Sequence, residues 1–315
     1  MEEIIYPEHL KTNLLHVIQY NIDKIEKTFN VSLSLRGNKI MFDGEAQHKK
    51  NFKKYFNSIV ELSQDHTDLN ENDLDMSLSL FNEGKPELIG QELTSKTRVV
   101  INGKEVFPKT YNQKKYLKAI DGNVLTFGIG PAGTGKTFLA ISMALNYLFG
   151  RKVNRIVLTR PVVEAGEKLG FLPGDIQQKV NPYFRPLYDS LHALIGFERT
   201  AELIEKEIIE IAPLAYMRGR TIDNAFIILD EGQNTLNSQM KMFLTRFGTT
   251  SKVVITADLS QIDLPDPQKA GIFKAIKILK NIEDIKMVYL TEKDVIRHPL
   301  IQKIIEAYDR KKDEV

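Results

Sequence analysis

The chain contains no cysteine, which removes disulfides, thiol nucleophiles and cysteine-ligated zinc from consideration. No apolar run is long enough to span a bilayer, so no membrane segment is expected. The first residues, MEEIIYPEHL, are acidic and lack the basic-then-apolar order of a secretory signal, so a cytoplasmic location is the default expectation. An excess of one charge is missing too: 43 Lys and Arg stand against 41 Asp and Glu, a net of +2. That is not the balance of a dedicated nucleic-acid coat, and a nucleic-acid partner would need locally clustered Lys and Arg. Internal repeats and low-complexity tracts are also lacking. What is present, 315 residues of which 42% are hydrophobic, leaves room for two globular domains.

The strongest local signal is Gly130-Pro131-Ala132-Gly133-Thr134-Gly135-Lys136-Thr137, which fits G-x-x-x-x-G-K-[ST] at every fixed position. A strand-like run, Val124-Leu125-Thr126-Phe127, leads in, and a helical pattern (Phe138, Leu139, Ile141, Met143, Ala144, Leu145) leads out. Such a loop turns backbone N–H groups toward phosphate oxygens at a helix N-terminus. Lys136 adds a mobile cation for the β- and γ-phosphates, and the Thr137 hydroxyl can occupy a Mg²⁺ coordination position. A nucleoside triphosphate is the expected ligand.

A second signal is Ala225-Phe226-Ile227-Ile228-Leu229-Asp230-Glu231, a buried strand ending in adjacent carboxylates, the Walker B pattern. Asp230 would hold Mg²⁺ opposite Thr137, and Glu231 would orient or deprotonate the attacking water. A small-molecule kinase must keep water from the γ-phosphate, so this acid pair favours hydrolysis. A third apolar run, Val253-Val254-Ile255-Thr256-Ala257, ends in Asp258-Leu259-Ser260-Gln261. An amide at Gln261 can report whether the γ-phosphate is present.

Around these motifs the chain divides into three. Residues 1–65 place a long helical pattern (Leu14 to Phe29) before two short strands, Val31–Leu35 and Ile40–Phe42, and a helix over roughly Gln47–Ser63. Helix–strand–strand–helix of this size resembles a K-homology fold, a common RNA-binding module, although Tyr20–Glu26 contains no glycine for a nucleotide-clamping G-x-x-G loop. Lys49, Lys50, Lys53 and Lys54 give one helix face a basic character. Residues 66–107 read as a linker with one short helix near Asp73–Phe81 and a hairpin, because Asn102-Gly103 separates two strand-like runs. From 108 to 315, strand-like runs at Val124–Gly128, Arg155–Thr159, Ala225–Leu229, Lys252–Thr256 and Ile285–Leu290 alternate with helical patterns. That predicts an α/β fold: a parallel sheet flanked by helices, with its ligand at the carboxyl ends of the strands.

From about Phe107 to the C-terminus the chain resembles the PhoH family, relatives of the first motor domain of superfamily 1 helicases with a RecA-like P-loop fold. The resemblance lies in GPAGTGKT (130–137), LTRPVVEAGEKLGFLPGD (158–175), NPYFRPLYDSL (181–191), APLAYMRGRTIDNAFIILDEGQNT (212–235), QMKMFLTRFG (239–248) and DVIRHPLIQKIIEAY (294–308). Gly232 stands where the family usually has alanine, and Ala257 where it usually has glycine. The resemblance implies an ATPase acting in RNA metabolism, with an ATP-dependent switch or scaffold of little turnover as the alternative. It matches Gln113 to a glutamine that reads adenine, and it places Gln261 beside the γ-phosphate. Arg160 is left with two readings, a nucleic-acid contact or a structural ion pair. Gly166–Asp175 and Pro182–Tyr188 read as surface loops for nucleic acid or a neighbouring subunit. Motors of this lineage complete the site with an arginine from a second domain, which this chain has no room for. A neighbouring copy in a homo-oligomeric ring would then supply it, Arg297 being the first candidate and Arg218 or Arg220 the second. An RNA-maturing endoribonuclease is the partner that the family's gene neighbourhoods imply.

Overall fold

The structure, a computed structural model, describes residues 1–6, 11–65, 70–94, 97–162 and 176–296. Two compact units emerge: residues 1–98 with 107–114, and residues 99–106 with 115 onward. No helix among the described residues is long and apolar enough to cross a membrane.

In the first unit the single long helix expected before the strands is two, α1 (Lys11–Tyr20) and α2 (Ile22–Phe29). The break falls at Asn21, whose side-chain amide donates to the Val17 carbonyl at 2.9 Å and satisfies an acceptor that the interrupted helix releases. β2 (Ser32–Arg36) and β3 (Lys39–Asp43) pair antiparallel as expected. A strand with no strong alternation of its own, β1 (Glu2–Ile5), adds to β3 to give the order β1-β3-β2. α3 (Ala46–Asp65) closes the aromatic core, in which the Phe29 ring meets Tyr55 at 4.8 Å and Phe81 at 4.7 Å.

The segment expected to be a linker is largely structured. α4 (Glu71–Asn82) opens with a capping box: the Asn70 side chain accepts from the Asp73 N–H while the Asp73 carboxylate accepts from the Asn70 N–H. α4 and α5 (Ile89–Thr94) then bury Leu74, Leu78, Leu80, Ile89 and Leu93 in the same core as Phe29 and Phe42. The acidic residues of α4 are used within the unit, Asp73 in the capping box and Asp75 in an ion pair with Lys24 at 2.8 Å.

The second unit begins with the hairpin β4 (Val99–Ile101) and β5 (Lys104–Val106). Asn102 and Gly103 both have positive φ, 48° and 82°, as a type I′ turn requires. After α6 (Tyr111–Gly122) come β6 (Leu125–Ile129), α7 (Lys136–Phe149), β7 (Arg155–Arg160), α8 (Ile176–Ile195), α9 (Phe197–Glu205) and β8 (Ile209–Pro213). β9 (Ala225–Leu229), α10 (Asn237–Leu244), β10 (Lys252–Ala257), α11 (Gly271–Leu279) and β11 (Ile285–Tyr289) follow. The six strands β6–β11 are parallel in the order β11-β6-β10-β9-β7-β8. The five expected strands are all present, and β8 is an addition at one edge.

Period-2 alternation assigns each side chain to a face. Phe226 and Ile228 of β9 join a layer with α7 and α8, through Leu139, Ala144 and Leu187. Ile227 and Leu229 join the opposite layer with Phe243 and Ile272 of α10 and α11. Gly128 sits inside β6 because the Tyr116 ring lies on it, 2.6 Å from where a Cβ would be. Pro182 and Pro186, expected in a surface loop, lie inside α8, where Phe184, Leu187, Leu191 and Leu194 are buried.

Phe226 is fully buried at the centre of the sheet, so Phe226→Ala should lower the unfolding free energy by about 3–5 kcal/mol. Urea denaturation followed by far-UV dichroism measures this, and a loss below about 1 kcal/mol would contradict the core described.

Candidate functional site

The loop from Gly130 to Gly135 joins the end of β6 to the start of α7. Gly133 and Gly135 adopt φ of 83° and 78°, values that a side chain would oppose. Gly130 is required for a different reason: its Cβ would lie 2.5 Å from the Leu290 carbonyl oxygen. No side chain caps α7, so its first N–H groups are presented at the loop's concave side. The Lys136 ammonium donates to the carbonyls of Gly130 (2.7 Å) and Pro131 (2.8 Å). Its burial depresses the lysine pKa, against the opposing pull of Asp258, Glu231 and Asp230.

Three strand ends converge on Asp230, which is 3% exposed. Its Oδ1 accepts from the Thr137 hydroxyl and from the Thr256 hydroxyl, each at 2.6 Å. Glu231, the next residue, adopts a left-handed backbone at φ 53°, which turns its side chain away from the direction that the strand would give it. Burial first, and the Asp230 charge second, raise the Glu231 pKa; the Gln233 amide, Arg160 and Lys136 oppose the rise. Gln233 is fully buried. Its Nε2 donates to Glu231 Oε2 and to the Gln261 carbonyl (3.0 Å), while its Oε1 accepts from the Asp258 N–H (3.0 Å).

These groups line a cavity of about 270 Å³. Gly133, Gly135, Lys136 and Thr137 form one side, Asp230, Glu231 and Thr256 a second, Asp258 and Gln261 a third, and Pro186 and Ser190 of α8 a fourth. The oxygen donors Thr137 and Asp230 suit a hard divalent cation. Among the described residues no cluster of three or more His, Asp or Glu forms a closed metal cage. A Mg²⁺ ion shared with phosphates needs none, since one or two protein oxygens suffice. The buried Oδ2 of Asp258 has no hydrogen-bond partner, an orphaned acceptor that fits a cation or a cation-bound water nearby.

The structure therefore brings together Ala132, Gly133, Gly135, Lys136, Thr137, Asp230, Glu231 and Gln261. Gln113 belongs to the first unit, where its side-chain oxygen accepts from the Lys109 N–H at 2.7 Å. Arg297 and Gly166–Asp175 lie outside the described residues. Of the second pair of finger candidates, Arg220 is committed to Glu210 through two parallel contacts, at 2.5 and 2.8 Å, while Arg218 is exposed. Thr256 and Gln233 were not foreseen as site residues. The available signal was a hydroxyl inside the apolar run VVITA and an amide two positions after the acid pair.

Gly130→Ala should cost about 1–3 kcal/mol, because the methyl group must displace backbone at Leu290. Thermal melting of the purified variant tests this, and an unchanged melting temperature would show the loop to be free of β11.

A sequence model of the PhoH family, described as "PhoH-like protein", matches residues 105–309. A PhoH-like protein of Bacillus subtilis is 46% identical over 286 residues, covering 91% of this chain and 90% of the relative. One from Mycobacterium tuberculosis is 44% identical over 308 residues, covering 96% and 86% respectively. Among solved structures, a Sulfolobus solfataricus SWI2/SNF2 ATPase core in complex with dsDNA matches with a TM-score of 0.35 and 12% identity. That match covers 58% of this chain and 44% of that one, too loose to bear on function. With a P-loop cavity built at the ends of a parallel sheet, and relatives this similar along nearly its whole length, the chain belongs to the PhoH-like family.

Proposed function

We propose that this protein is a Mg²⁺-dependent ATPase acting in RNA metabolism. One observation carries the hydrolytic part: Thr137 and Asp230 meet at 2.6 Å with Lys136 and Glu231 in the same cavity. The loop amides and Lys136 would neutralise the β- and γ-phosphates, and Thr137 and Asp230 would hold the ion. Mg²⁺, when bound, would supply positive charge to offset that of the β- and γ-phosphates. Glu231, raised in pKa by burial, is the group to take a proton from water as it attacks in line. Gln261 would read the γ-phosphate, and Gln233 would tie that reading to Glu231.

Preference for adenine rests on the resemblance at Gln113. Contact with RNA rests on the resemblance of the sequence pattern of residues 1–65 to a K-homology fold and on Lys50, Lys53 and Lys54, which are exposed along α3. Lys49 is instead paired with Glu2 at 3.3 Å. Supply of an arginine by a neighbouring copy, with Arg297 as the first candidate, would make the active form a homo-oligomer in the cytoplasm. An endoribonuclease partner is proposed on the resemblance alone.

Phosphate release measured with and without structured RNA tests the reading. Lys136→Ala should abolish ATP binding, whereas Glu231→Gln should bind ATP and turn over at least about 100-fold more slowly. Glu231→Gln protein hydrolysing at the wild-type rate would remove the base assignment; ATP binding without turnover in the wild type would leave a nucleotide switch. Because Glu231 must be ionised to act and its pKa is raised in the free protein, kcat/KM should fall as pH falls through a midpoint above the 4.5 of an ordinary glutamate. A pH profile flat down to that value would show that another group accepts the proton.

A further inference from the structure

Arg160 closes β7, beside the strand that delivers the acid pair. Its side chain is 20% exposed, and the guanidinium faces three acceptors. Nη1 donates to the Tyr183 carbonyl of α8 at 3.0 Å and lies 3.8 Å from Asp230 Oδ2. Nη2 lies 3.6 Å from Glu231 Oε1. These distances separate two jobs. The contact to Tyr183 is a hydrogen bond that fixes the plane of the guanidinium, whereas the carboxylates stand beyond hydrogen-bond range and feel its charge. The other oxygen of Glu231, Oε2, receives the Gln233 amide. The carboxylate is thus held from both sides, by a cation at one oxygen and an amide at the other.

We propose that Arg160 is a positioning residue. It aims the ionised Glu231 carboxylate into the cavity, and through the Tyr183 carbonyl it makes that aim depend on where α8 lies. The inference rests on the hydrolytic reading given above. α8 also walls the cavity with Pro186 and Ser190, so a displacement of this helix moves the boundary of the nucleotide site and the anchor of its base together. A phosphate of a nucleic acid would have to draw the guanidinium away from two carboxylates, which is why the geometry favours an inward role over a nucleic-acid contact.

The test compares steady-state ATP hydrolysis by wild type, Arg160→Ala, Arg160→Lys, Glu231→Gln and the double variant Arg160→Ala/Glu231→Gln. Binding of a fluorescent ATP analogue and of a structured RNA is measured alongside. Arg160→Ala should lower kcat by about 10- to 100-fold. Its KM for ATP and its affinity for the analogue should stay within about twofold of wild type. Arg160→Lys should recover part of the rate, since it restores the charge but not the fixed plane. The double variant should be no slower than Glu231→Gln alone, because Arg160 acts through Glu231.

A wild-type kcat in Arg160→Ala beside an inactive Glu231→Gln overturns the proposal and leaves the hydrolytic reading standing. Full additivity in the double variant overturns it as well. An unchanged kcat with lost RNA affinity would make Arg160 a nucleic-acid contact instead. Glu231→Gln turning over at the wild-type rate removes both readings. Should Arg160→Ala fail to fold, the kcat of Arg160→Lys decides: a rate equal to wild type at unchanged melting temperature overturns the proposal, and a reduced kcat at unchanged KM supports it.

Discussion

Asp230 Oδ1 receives two hydroxyl hydrogen bonds, one from the first turn of α7 and one from the end of β10, and the geometry of the site depends on this junction. It exists only because three strands are in register. Val253 of β10 pairs with Leu125 of β6 on one side and with Ile227 of β9 on the other. A slip of one residue in β9 or β10 would turn Asp230 or Thr256 to the wrong face, and a slip in β6 would shift the loop that leads to Thr137. Burial of alternate side chains in two separate layers fixes that register, so the apolar packing of the sheet is what places the polar atoms of the cavity.

The amide of Gln233 extends this logic beyond the three strands. It touches the Glu231 carboxylate, the Gln261 carbonyl and the Asp258 N–H. A buried amide with these partners holds the two loops that follow β9 and β10 at a set distance. Gly232 permits the approach: a Cβ there would lie 2.7 Å from a methyl group of Ile255. That contact gives a physical reason for glycine at this position, one that the sequence by itself does not supply.

What could be read in advance follows from how local each determinant is. The glycines and Lys136 act on the loop they belong to, and β9 announces itself by five consecutive buried apolar residues, so the sequence shows both directly. Thr256 acts on Asp230 across 26 positions, and Gln233 joins Glu231 to Asp258 and Gln261, 25 and 28 positions on, distances over which spacing carries no information. β8 is an edge strand with polar interruptions, and β1 is held by its pairing with β3 rather than by propensity. α8 was obscured by Pro182 and Pro186, which signal a loop, while the helical spacing of Phe184, Leu187, Leu191 and Leu194 signals the reverse; burial decided in favour of the helix. The helix near Asp73–Phe81 was legible from its spacing, but its burial in the core of the first unit was not, because that depends on Phe29 and Tyr55 far along the chain.

The left-handed backbone at Glu231 sets its proposed catalytic role against durability. An L-residue with a long side chain costs about 1–2 kcal/mol at such a φ, and glycine does not. Selection for heat resistance alone would therefore drift toward glycine at this position and erase the carboxylate in doing so. On the hydrolytic reading proposed above, glutamate there is a stability–activity trade-off written into one residue, and sequences assembled for robustness without an eye to turnover would be expected to lose it first.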